Sequence, residues 1–169
     1  MSDKDASYIE FVTAHQARLR RIAYAVCRDD NRAEDVLQEA FVKLYLSWPK
    51  VRKQGVEEAY TRRIIVNADI DDRRRPWRRH RAAGSDEQLA QLPATAPLPV
   101  EDRSALLEAV RRLPVMQRRS VVLRHLVGLT VEETAAELGI GEGTVKSHTS
   151  RGLATLRVSL SGPVALPLG

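Results

Sequence analysis

The sequence predicts an all-α protein, built as two small helical domains joined by a flexible acidic linker. Three observations predict this. Apolar residues recur at helical spacing in both halves, and in the first half no alternating strand pattern competes. The charge falls into three blocks. The 169 residues hold 27 Lys and Arg against 22 Asp and Glu, a formal net charge of +5. Residues 1–81 carry 18 basic and 13 acidic side chains, residues 82–102 carry four acids and no Lys or Arg, and residues 103–169 carry 9 basic and 5 acidic. The acidic middle contains Pro93, Pro97 and Pro99 and reads as a linker. Finally, every Phe, Tyr and Trp lies at or before Trp77, so the two ends must build their cores differently.

Within the first domain, Leu19, Ile22, Ala23 and Val26 mark an amphipathic helix from about Ser7 to Val26. The polar stretch Cys27 to Asp30 breaks it. Asn31 with Glu34 three residues on has the pattern of a capping box opening a second helix. That helix puts Leu37, Ala40, Phe41, Leu44 and Trp48 on one face and Asp35, Gln38 and Glu39 on the other. Pro49 is expected to end it, leaving a basic loop to Gly55 with Lys50, Arg52 and Lys53. A third helix from about Glu57 places Ala59, Tyr60, Ile64 and Ala68 at helical spacing. It runs into Arg73-Arg74-Arg75-Pro76-Trp77-Arg78-Arg79-His80-Arg81, with Arg62 and Arg63 adding charge upstream. That run suits a solvated helix C-terminus; the arginines with an aromatic among them equally suit nucleic-acid backbone contact and base stacking.

In the second domain, Leu106, Leu107, Val110 and Leu113 mark a short helix ending before Pro114, which opens the next with Val121, Val122 and Leu126. Gly128 closes it. Thr130 with Glu133 is a second capping box, opening a helix with Val131, Ala135 and Leu138 inward. After the turn Gly139-Ile140-Gly141, a last helix starts near Glu142 and buries Val145, Leu153, Leu156 and Leu160. A short capped helix, a glycine turn and a longer helix with a polar start form the helix-turn-helix pattern, although an αα-hairpin that only packs shares it. Thr144, Lys146, Ser147, His148, Ser150 and Arg151 could meet bases and phosphates in a major groove. Gly143 and Gly152 each weaken that helix by ~1 kcal/mol relative to Ala.

Composition excludes several classes. No apolar run approaches the ~18–20 residues of a membrane span, and the start Met1-Ser2-Asp3-Lys4-Asp5 lacks a leader's apolar region. One cysteine, Cys27, excludes an internal disulfide framework and a CxxC motif. His15, His80, His125 and His148 lie too far apart for local metal-ligand spacing. No HxE, paired-Cys, phosphate-loop or Ser/His/Asp arrangement suggests an enzyme. The expectation is a cytoplasmic, non-enzymatic protein without cofactor, metal or membrane partner.

The motifs resemble the extracytoplasmic-function (group four) sigma factors of bacterial RNA polymerase. The segment LPVMQRRSVVLRHLVGLTVEETAAELGIGEGTVKSHTSRGLATLR, residues 113–157, resembles the family's fourth conserved region, which reads the minus-thirty-five element. RAEDVLQEAFVKLY, residues 32–45, resembles the helix that docks on the polymerase clamp, and AYTRRIIVNADIDDRRR, residues 59–75, the helix that meets the minus-ten element. The wording is most similar to the actinobacterial, SigE-like subgroup. The resemblance implies region 2 over residues 1–81, the linker over 82–103, region 4 over 104–160 and a flexible tail over 161–169.

For single residues, the resemblance implies polymerase contact by Asp35, Gln38 and Glu39. It implies minus-thirty-five contact by Thr144, Lys146, Ser147 and Arg151, joined by His148 and Ser150 on the same helix. Minus-ten contact falls to Trp48 and Asn67 together with Arg62, Arg63, Arg73, Arg74 and Arg75. The segment Trp48 to Val56 stands where the family captures a flipped-out base, which a melted strand permits through stacking and its hydrogen-bonding edges. The sequence departs from the family at Gly141, a weaker cap than the usual Ser or Thr, and at Asp69, Asp71 and Asp72, acids beside the expected DNA face. The implied partners are core RNA polymerase through clamp and flap, promoter DNA and an anti-sigma factor. The alternative is a stand-alone helix-turn-helix regulator, which leaves the Asp35, Gln38 and Glu39 face idle.

Overall fold

The computed structural model describes residues 1–73 and 100–161, and among these every regular element is helical. The chain divides into two compact units, Met1–Pro93 and Ala94–Gly169. The expected linker up to residue 99, Arg74 and Arg75, the arginine run beyond them, and the tail from 162 lie outside the described residues.

The first unit contains α1 (Asp3–Val26), α2 (Asp30–Leu46), α3 (Trp48–Gln54) and α4 (Glu57–Arg73). Helix α1 begins earlier than Ser7 because Ser2 and Asp5 form a capping box, with Asp in the place usually held by Glu. The second helix is capped by Asp29, not Asn31: the Asp29 carboxylate accepts from the Arg32 amide at 2.7 Å. Glu34 does not reach back to a cap. It accepts from the Tyr24 hydroxyl at 2.6 Å and pairs with Arg20 at 3.2 Å, joining α2 to α1.

Helices α1, α2 and α4 pack against one another around Leu19, Ile22, Val26, Val36, Leu37, Ile65 and Val66. Burying each such side chain stabilises by ~1.5–3 kcal/mol. Arg18 pairs with Glu58 at 3.2 Å across α1 and α4, and Arg32 donates to the Ala68 carbonyl at 3.3 Å across α2 and α4. The expected basic loop after Pro49 is instead helix α3. Pro49 sits in its first turn, where a missing N–H costs nothing. Gly55, left-handed at φ 68°, closes it.

The second unit contains α5 (Val100–Arg111), α6 (Val115–Val121), a π-helical segment (Val122–Val127), α7 (Val131–Leu138) and α8 (Glu142–Leu160). Helix α5 thus begins within the stretch expected to be linker. Helices α5, α6 and α7 all pack on α8. Pro114 stands at the N-cap of α6 rather than inside it. The π-helical segment lets the chain run on from α6 with a changed phase. Val121, Val122 and Leu123 stay buried, but Leu126 rotates out and is 49% exposed, against the expectation that it faces the core. Gly128, at φ 87°, ends the segment. Leu160 is also exposed, against the expectation that it is buried.

Candidate nucleic-acid interface

The helix-turn-helix is built by local chemistry. Thr130 accepts from the Glu133 amide at 3.0 Å and Glu133 accepts from the Thr130 amide at 2.8 Å, fixing the start of α7. Gly139, left-handed at φ 68°, ends α7, and Gly141 opens α8 with no side-chain cap. Helix α8 then buries Val145, Thr149, Gly152 and Leu156, spaced as one helical face. The inward set therefore runs through Thr149 and Gly152, with Leu153 only half-buried.

Gly152 has a specific reason to be glycine. A Cβ there would stand 2.7 Å from Val121 Cγ2 and 3.5 Å from the Gln117 carbonyl oxygen, so α6 and α8 approach through the missing side chain. With that face held inward, Thr144, Lys146, Ser147, Ser150 and Arg151 are all exposed along the opposite sides of α8. His148 is half-buried, with Nδ1 turned inward away from solvent. The sequence-predicted minus-thirty-five residues are thus brought together on one helix, His148 less openly than the rest.

In the first unit, Asp35 and Gln38 are exposed on α2, and half-buried Glu39 pairs with Lys43 at 3.4 Å. The same outward stripe continues with Val42, 59% exposed, and Leu46, 72% exposed. Sequence reasoning missed both. The signal was available: neither fits the core periodicity set by Ala33, Val36, Leu37, Ala40 and Leu44. On α4, Arg63 is exposed while Arg62 and Asn67 are half-buried. The Asn67 side-chain amide donates to the Arg63 carbonyl at 3.0 Å. Arg73 closes α4.

Trp48 departs from its expected place. It is 3% exposed, so its ring is not open to a base. Its Nε1–H donates to Ser7 Oγ at 3.0 Å, and its ring meets Tyr8 edge-on and Phe11 at a tilt, each at 5.5 Å between centroids. An apolar ring with one polar atom is well served by such a site, where Ser7 supplies the single acceptor. What α3 exposes instead is Lys50, Arg52 and Lys53.

Asp5 and Tyr24 are among the groups shifted from their ordinary ionisation. The Asp5 carboxyl is held low by the hydrogen bond from Ser2, then by that from the Tyr45 hydroxyl at 2.7 Å. Burial, reinforced by the Glu34 carboxylate it donates to, pushes the Tyr24 hydroxyl up. Among the described residues no group of His, Cys, Asp and Glu could hold a metal ion, and no helix is long and apolar enough to cross a membrane.

Comparison with known proteins bears on both units. The Sigma-70 region 2 family matches residues 11–79, and the Sigma-70 region 4 family matches residues 103–156. The chain is 37% identical over 154 residues to RNA polymerase sigma-E factor of Streptomyces coelicolor, covering 89% of this chain and 84% of that protein. It is 35% identical over 153 residues to the ECF RNA polymerase sigma factor SigM of Mycobacterium tuberculosis, covering 84% and 71%. Among solved structures, the sigma factor RpoE of Bartonella quintana, in complex with the anti-sigma factor NepR, shares the fold with a TM-score of 0.72. That likeness holds at 23% identity and covers 93% of this chain and 98% of that one. With both conserved regions in order along one polypeptide and relatives matched over most of their length, the chain belongs to the extracytoplasmic-function (ECF) family of RNA polymerase sigma factors.

Proposed function

We propose that the protein binds core RNA polymerase and directs promoter-specific initiation by recognising minus-ten and minus-thirty-five elements. The observation that carries this is the pairing in one chain of a region 2 bundle with a region 4 helix-turn-helix whose outward side chains are polar and basic. In region 4, α7 braces α8, which lies in the major groove. Lys146 and Arg151 reach phosphates or guanine edges, while Thr144, Ser147 and Ser150 supply short hydrogen bonds, with His148 at the margin. In region 2, Asp35, Gln38 and Glu39 dock on the polymerase clamp, and Val42 and Leu46 extend that face with apolar surface. Arg62, Arg63, Asn67 and the arginines from Arg73 through Arg75 face melted minus-ten DNA. Region 2 occupies residues 1–81, the linker 82–103 and region 4 residues 104–160.

On this reading the chain works in the cytoplasm as a binding subunit, and nucleotide chemistry stays with the polymerase. An anti-sigma factor that masks the polymerase-binding faces would hold it inactive. Run-off transcription with purified core enzyme tests the proposal. The chain should confer initiation at a defined promoter, and Asp35→Arg should abolish holoenzyme assembly while leaving the helical content unchanged. Tight promoter binding by the chain alone, with indifference to core enzyme, would instead identify a stand-alone regulator.

A further inference from the structure

The burial of Trp48 leaves α3 with an unusual construction. It is a helix of seven residues, too short to hold its own shape in water. Yet three of those seven side chains, Lys50, Arg52 and Lys53, are exposed cations. Something outside the helix must fix both its existence and its rotation. Trp48 and Val51 are each 3% exposed and lie one turn apart, and with Leu44 they form the cluster on which Tyr8, Phe11, Phe41 and Tyr60 pack. Apolar contact alone fixes rotation loosely, since it is non-directional. The directional element is the indole N–H. It donates to Ser7 Oγ at 3.0 Å, and Ser7 Oγ in turn donates to the Lys4 carbonyl at 3.0 Å, so the serine oxygen's hydrogen is committed and a lone pair faces the indole. At the neighbouring residue, the Tyr60 hydroxyl donates to Ser47 Oγ at 3.1 Å. The guanidinium of exposed Arg52 stands over the Trp48 ring, 6.0 Å from its centroid.

We propose that Trp48 and Ser7 are positioning residues for DNA. The indole-to-serine hydrogen bond sets the rotation of α3, so that Lys50, Arg52 and Lys53 form a preset cationic face for the phosphates of the melted promoter strand. This rests on the reading that region 2 meets minus-ten DNA. A single strand is held by a positive groove that tracks its backbone, and a face set before binding avoids the ordering cost at the moment of binding. Trp48 therefore serves DNA binding without touching a base.

The test uses reconstituted holoenzyme and fork-junction DNA with an unpaired minus-ten strand. Ser7→Ala and Trp48→Phe should each weaken fork-junction binding by about three- to ten-fold, the range of one lost hydrogen bond. Because both remove the same bond, the double variant should be no weaker than the weaker single. Affinity for core enzyme should stay within about two-fold, since the clamp face on α2 does not use this bond. Ser7→Ala leaves the aromatic cluster intact and guards against a folding defect in Trp48→Phe. A double variant of Lys50→Ala and Lys53→Ala separates the two levels. If it weakens fork-junction binding while Ser7→Ala does not, positioning by this bond is overturned. If it has no effect, the DNA-facing reading of α3 falls with it. Additive losses, or equal losses of core and DNA affinity, would also overturn the proposal, because they mark general destabilisation.

Discussion

Asp5 accepts hydrogen bonds from Ser2 and Tyr45, and both favour its ionised form. Its carboxyl should therefore titrate below the ordinary 3.8, with the Ser2 bond the larger cause. A group depressed in the folded state contributes stability that is complete above its unfolded value and is lost as pH falls through the folded value. The first turn of α1 should thus loosen in acid. Carbon-detected titration of the Asp5 carboxyl checks this, and a midpoint at or above 3.8 would reject the two-bond account. At the other end of the chain, Lys146→Ala and Arg151→Ala should each weaken promoter binding and lower the slope of log affinity against log salt by about 0.9 for every phosphate no longer neutralised. Unchanged slopes would count against groove contact. These exposed cations were legible from the sequence because exposure on α8 follows from helical period alone. The burial of Trp48 was legible too, from its place on the apolar face of the second helix, but its hydrogen-bond acceptor was not, because Ser7 stands 41 positions earlier.

At the scale of elements, local chemistry was legible where it had no rival. Thr130 and Glu133 form their box as the spacing requires. The second helix is capped by Asp29 and not by Asn31, and Glu34, which a box on Asn31 would need, is taken up by Tyr24 and Arg20 of α1. Only tertiary contact decides such a case. The same holds for α3, where a helix of seven residues exists because Trp48 and Val51 are anchored. The π-helical segment had no sequence signal, and Leu126, which it contains, is exposed. Gly152 shows the reverse: read as a weakness of α8, it is the point where α8 meets α6. Its replacement by Ala would gain ~1 kcal/mol of helix propensity. The added methyl must displace Val121, a stiff β-branched neighbour, with an overpacking cost of about 1–3 kcal/mol. Gly152→Ala should therefore lower the stability of the second unit and weaken duplex promoter binding. A melting curve at or above wild type would show that α6 yields without cost.

Over the whole molecule, the division of charge and of aromatics along the sequence anticipated two helical units with separate cores. The first is sealed by the aromatic cluster around Trp48. The second is closed with aliphatic residues such as Leu113, Leu123, Val145 and Leu156, together with two buried arginines, Arg118 and Arg119. Arg118 is accommodated by donating to the Arg111 carbonyl at 2.7 Å. Buried arginines at these positions were not legible, because a basic pair in the last turn of a helix reads as surface. The unequal sharing of aromatic rings has an optical consequence. Every tryptophan and tyrosine belongs to the first 77 residues, so intrinsic fluorescence is blind to region 4, while far-ultraviolet dichroism records both helical units. Melting the full chain by the two signals should give separate midpoints, whereas coincident curves would mean that the cores unfold together. Trp48, sealed and hydrogen-bonded, supplies a native emission probe for region 2 that needs no dye.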